Sequence, residues 1–252
     1  SNTSCELNVT DLVKDYISGK YTNTGILIKA RSESNNYIAF YSADCGNASR
    51  VPKLNVTKKE TVNTTITGAK DNRLRESSPA GVFGTDSYLD VGGLSGRYRD
   101  LISFNLSGYS SSAQVNKATL SLCWYYPTNS RQNDTIIEIY RPAASWDPGY
   151  VSWNMRNNAS SWNNPGGDWY DKNGILQGST PYATLTVKAD SLPSNTSCEL
   201  NVTDLVKDYI SGKYVNTGIL IKARSESNNY IAFYSSECGN TSRVPKLDIT
   251  YT

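Results

Sequence analysis

Histidine is absent from the sequence, and Met155 is its only methionine. Without an imidazole there is no histidine-based nucleophile–base pair and no mixed His/Cys zinc site. Long apolar runs are missing too. Nothing approaches the roughly 18 residues of a membrane-spanning helix, and the first residues do not read as a signal peptide. Neither sign of charge is in excess, with 25 Lys and Arg against 23 Asp and Glu, so no basic stripe favours a nucleic-acid partner.

What the chain does have is repetition. Residues 1–57 return almost letter for letter as 194–250, with mild changes such as Thr22 to Val215, Asp44 to Glu237 and Asn55 to Asp248. Such a duplication marks copies of one folding unit. The copies are out of phase with the chain. Residues 58–252 read as one complete repeat, and residues 1–57 as the C-terminal part of a preceding one. A complete repeat of about 195 residues can hide roughly 70% of its unfolded surface around one core. A half-repeat cannot, so residues 1–57 are expected to seek strands from a neighbouring repeat in an array or from an adjacent molecule. Head-to-tail contacts of that kind propagate into filaments or a matrix.

The pattern is all-β. Tyrosine is abundant, at 18 residues, and Ser, Thr and Asn punctuate short alternating segments. Strands are predicted over 61–67, 87–91, 101–106, 115–126, 135–141, 182–187, 217–223, 230–235 and 246–251. One short helix per repeat follows Thr203, a plausible N-cap, and ends at Gly212. Many short strands around one brief helix point to a β-sandwich of jelly-roll type.

Cys5 and Cys45 recur as Cys198 and Cys238 at the same separation, which predicts the disulfides Cys5–Cys45 and Cys198–Cys238, with Cys123 left over in a strand. Sequons for N-glycosylation stand at Asn2, Asn8, Asn47, Asn55, Asn63, Asn105, Asn133, Asn158, Asn195, Asn201 and Asn240. Both features place the chain outside the cell.

Sugar binding finds material in the long stretch between Pro142 and Pro181. Trp146, Trp153, Trp162, Trp169 and Tyr170 crowd it, with Arg156 nearby. Aromatic rings stack on sugar C–H faces and Arg forks suit uronic carboxylates; the bland alternative is that the rings bury themselves to hold the loop. A glycosidase needs two carboxylates facing a bond, for which Asp147 and Asp168 are the pair on offer. No cofactor is implied. A structural calcium held by Asp86, Asp90 and Asp100 is the one metal reading, although these acids lack the spacing of a dedicated loop.

Asp71-Asn-Arg-Leu-Arg-Glu76 is followed by Tyr98-Arg-Asp-Leu-Ile-Ser-Phe104, Leu120-Ser-Leu-Cys-Trp-Tyr-Tyr126, Val151-Ser-Trp-Asn154, Gly166-Gly-Asp-Trp-Tyr170 and Asn229-Tyr-Ile-Ala-Phe-Tyr-Ser235. Together these motifs resemble the disaggregatase-related (DNRLRE-type) repeats of Methanosarcina-type archaeal cell-surface proteins. The resemblance implies a jelly-roll sandwich related to carbohydrate-binding modules, exported to the cell surface and non-catalytic. The expected role is a structural extracellular repeat. The alternatives are a carbohydrate-binding module for acidic polysaccharide and part of a polysaccharide-degrading disaggregatase. Arg73, Arg75 and Glu76 are expected to anchor the turn after the first strand through ion pairs.

Overall fold

The computed structural model describes residues 4–126, 133–189 and 196–252. The chain divides into two compact units, Ser1–Thr57 and Lys58–Thr252. Among its described residues the first unit forms one regular element, helix α1 (Thr10–Ile17).

The second unit carries the strands β1 (Val62–Ile66), β2 (Lys70–Arg75), β3 (Tyr88–Gly93), β4 (Arg97–Ser103), β5 (Val115–Tyr126), β6 (Thr135–Pro142), β7 (Trp169–Tyr170), β8 (Ala183–Val187) and β9 (Ser197–Asn201). Helix α2 (Thr203–Ile210) and strands β10 (Ile219–Ala223), β11 (Ile231–Tyr234) and β12 (Lys246–Tyr251) complete it. The expected all-β class is what the structure has. Strands pair in the order β1-β12-β5-β11-β3-β4-β10-β6-β7, with β2 on β4, β8 on β6 and β9 on β5. Every pairing among the described residues is antiparallel.

This hydrogen-bonded path folds back on itself. Leu120 of β5, Leu200 of β9 and Ile249 of β12 share one core with Ile139 of β6 and Ile221 of β10. A second core lies on the other side of β4, β6 and β10, where Leu101, Tyr140 and Leu220 meet Val151, Trp153 and Trp162 of the long loop. Neighbouring residues of one strand therefore enter different cores, as Leu220 and Ile221 do. A strand covered on both faces loses its polar alternation, which is why Ile219-Leu-Ile-Lys-Ala223 reads as a continuous run.

Helix α2 buries Leu205, Val206, Tyr209 and Ile210. Its cap departs from expectation. Thr203 is the first helical residue, and its Oγ1 donates to Asn201 Oδ1 at 2.7 Å; the Thr203 amide donates to the same Asn201 oxygen at 3.1 Å. Gly212, at φ +74°, turns the chain out of the helix, a backbone state that costs glycine little.

The hexapeptide carries no strand signature, yet Asp71–Arg75 lies in strand β2, paired along β4. Three of its four buried positions hold polar or charged residues, Asp71, Asn72 and Arg73, so no apolar alternation marks it. Strand β9 carries no strand signature either, since Ser-Cys-Glu-Leu-Asn is short and mostly polar.

Candidate functional surfaces

Strand β2 faces acids from its neighbours. Arg73 lies opposite Asp100 on β4, and its Nη1 donates to Asp90 Oδ2 of β3 at 3.0 Å. Nη2 pairs with Asp86, and the guanidinium stacks 4.0 Å from the Tyr88 ring centroid. Asp100 is fully buried; burial first, then the charge of Asp90, pushes its carboxyl well above the usual range. Burial also raises Asp90, outweighing the attraction of Arg73. The calcium candidates Asp86, Asp90 and Asp100 are thus gathered around a guanidinium. Calcium wants six to eight oxygens. Among the described residues no group of three or more His, Cys, Asp or Glu side chains is placed to hold a metal. These residues do not fit that ion.

The other two family-naming side chains are ion-paired or stacked. Glu76 takes Arg97 in a bidentate pair, at 2.7 and 3.1 Å, and accepts its backbone N–H at 3.0 Å. Arg75 lies over the Tyr98 ring.

Beside this lattice, at the start of β2, an open cleft of about 340 Å³ is lined by Lys70, Asp71, Val82, Pro148 and Glu237. Ser236 Oγ lies 2.8 Å from both Asp71 Oδ2 and Glu237 Oε2. A hydroxyl has one proton, so both contacts are hydrogen bonds only if one carboxyl donates in return. Burial raises Asp71 to about 7, against the pull of Ser236, which makes it the natural donor. The neighbouring charge of Glu237 raises Asp71 in the same direction as its burial does.

The long loop uses its aromatic rings inwardly. Trp153 and Trp162 are buried, and Trp146 and Trp169 pack against the same core, half-buried. Three of these indoles donate to backbone: Trp146 to Thr217 O at 3.0 Å, Trp162 to Ser152 O at 3.1 Å, Trp169 to Gly178 O at 2.9 Å. Arg156 donates to Ser145 O at 3.2 Å, and Tyr170 stacks under Arg141. For Trp153 and Trp162 a sugar-stacking role is therefore corrected to a packing role. Asp168 accepts from the amides of Asn163 and Asn164, at 2.7 and 2.9 Å, while Asp147 caps Gly149 at 2.9 Å. Each acid fixes its own turn.

The expected Cys5–Cys45 and Cys198–Cys238 bonds are not formed; all described cysteines are free thiols. Cys198 belongs to the main core, opposite Leu122, whereas the Cys238 thiol turns to Asn240 O at 3.4 Å. Sequon residues Asn8, Asn47, Asn55, Asn63, Asn105, Asn133, Asn158, Asn201 and Asn240 are all exposed; Asn2 and Asn195 lie outside the described residues.

Among the described residues, the first unit carries a run of exposed apolar side chains. Ile26, Leu27, Ile28, Ile38 and Phe40 are all exposed there, with Leu27 at 85% and Phe40 at 65%. Their counterparts Ile219, Leu220, Ile221, Ile231 and Phe233 are buried, Leu220 and Phe233 at 0%. The same letters thus fill a core in one unit and lie bare in the other. An apolar surface of that extent marks an interaction site.

Comparison with known families agrees with this doubling. The profile described as Disaggregatase related repeat domain matches residues 1–56 and 71–249. A search of curated proteins finds no match.

Proposed function

Because the chain belongs to the disaggregatase-related repeat family, we propose that it is a non-enzymatic structural repeat of an exported cell-surface protein. In this reading residues 4–57 are the closing half of a sandwich whose scaffold half, equivalent to β1–β8, comes from another repeat. One observation carries it: the bare side chains of residues 26–40 are those that residues 219–233 bury. Surface placement draws support from the exposed sequons. Among the described residues no helix is long and apolar enough to cross a membrane.

The chain has two closing halves and one scaffold half. Copies of this chain alone therefore leave one closing half uncovered per molecule, so the covering partner is a scaffold half without a closing half of its own. Placing a further copy of residues 58–193 ahead of Ser1 supplies one. Residues 4–57 should then resist protease, and calorimetry should show a second cooperative unfolding transition. Cleavage of 4–57 at the parent rate sinks the docking reading. Turnover of a uronic-acid polymer that disappears in Asp71→Asn or Glu237→Gln sinks the non-enzymatic one.

A further inference from the structure

The closing half of the second unit, residues 196–252, forms β9, α2, β10, β11 and β12. We propose that residues 4–57 are an interchangeable spare for it, able to take the same seat on β1–β8 of their own chain. This rests on the reading of residues 4–57 as a closing half, but it concerns exchange within one chain and not docking on another repeat.

The side chains match. Residues 1–57 differ from 194–250 at six positions: 22, 43, 44, 48, 55 and 56. Glu226, which takes Arg99 in a bidentate pair at 2.8 and 2.9 Å, has Glu33 as its counterpart. Asn229, fully buried and bonded to the Gly93 amide at 3.0 Å, has Asn36.

The spare is also locally preorganised. Tyr16 OH donates to Gly25 O at 2.7 Å, as Tyr209 OH does to Gly218 O at 2.6 Å. Arg50 reaches Tyr41 OH at 2.7 Å, as Arg243 reaches Tyr234 OH at 2.5 Å. Gly19 has the φ of Gly212, +74°.

The connection fits as well. In the occupied seat Tyr251 lies opposite Val62, and Leu247 opposite Ile66. The position equivalent to Tyr251 in the spare is Lys58, which leaves Lys59, Glu60 and Thr61 to reach Val62. Three residues are a common hairpin loop. Residues 53–58 can therefore pair antiparallel with β1 through a short turn, giving a circularly permuted form of the same sandwich.

The resident copy keeps the seat through a few contacts that the spare lacks. Ile249 is buried in the main core where the spare has Val56. Ser236 bonds Asp71 through its hydroxyl where the spare has Ala43. Tyr251 packs edge-on against Tyr109 at 5.1 Å where the spare has Lys58.

Weakening the resident should expose the exchange. In the full chain, Leu220→Asp puts a carboxylate into the second core. The expected result is a monomer that still unfolds cooperatively at a lower urea midpoint, with protease now cutting within 196–252 and sparing 4–57, the reverse of the parent. Leu27→Asp alone should leave the parent pattern unchanged, and the double variant should be unfolded. The proposal is overturned if Leu220→Asp is as unfolded as the double variant, or if it folds only as a dimer.

Discussion

Arg99 and Glu226 form a buried bidentate ion pair that ties β4 to the turn before β11, and Arg99 Nη1 also donates to Gly166 O of the long loop at 2.9 Å. The guanidinium lies between Trp153 and Trp169, 5.1 and 5.3 Å from their ring centroids. Removing one partner of a buried pair leaves the other charge uncompensated, which costs about 3–5 kcal/mol. In the Leu27→Asp background, where residues 4–57 cannot take the seat, Glu226→Gln should lower the urea midpoint accordingly. Glu33→Gln, the same change in the exposed copy, should leave it within error.

Trp162 is the second core's contribution from the far side of the loop. Trp162→Ala should cost about 3–5 kcal/mol, as large-to-small changes of buried aromatics do. Within residues 58–252, the loop 143–181 should become the first site of proteolysis, while an equal change at the exposed Tyr150 moves neither reading.

Asp71, Asp90 and Asp100 all bind their protons more tightly in the folded unit than in the open chain. Such groups contribute stability that is present in full below the unfolded value near 4. For Asp71 it is lost as pH climbs through about 7. Unfolding free energies from urea titrations between pH 4 and pH 8 should therefore fall, by up to about 1.4 kcal/mol per pH unit for each titrating group. Asp71→Asn should flatten the part of that slope below pH 7.

Burial pushes the Cys198 thiol up to about 12, whereas Cys5, its counterpart, is exposed. Thiolate is the reactive form. Iodoacetamide followed by peptide mass spectrometry should label Cys5 within minutes and Cys198 only on unfolding. Equal labelling of the two would contradict the packing of β9.

The two copies show which parts of a fold are written locally. Thr-Asp-Leu-Val-Lys-Asp-Tyr-Ile is a helix at 10–17 and again at 203–210, because its hydrogen bonds close within the segment. Ile-Leu-Ile-Lys-Ala is a strand at 219–223, yet at 26–30 it is not, because a strand exists only with a partner to bond. The strands over 115–126 and 246–251 were legible to the residue, since alternation and turn signals bounded them. Strand β2 was not, because Arg73 and Asp71 occupy buried positions that a hydropathy pattern assigns to solvent. The aromatic loop was recognised as a cluster, but composition does not say whether a ring faces water or a second core. The Asp71–Ser236–Glu237 contact was illegible for another reason: it joins residues 165 apart in the chain.

Strands β1 and β12 are neighbours in antiparallel register, with Val62 beside Tyr251. A load transmitted through the polypeptide at these two points pulls apart adjacent rungs of one ladder, which open singly like a zipper instead of resisting together in shear. A string of such units would stretch at low force and re-close on release, behaving as an elastic tether and not as a stiff cable.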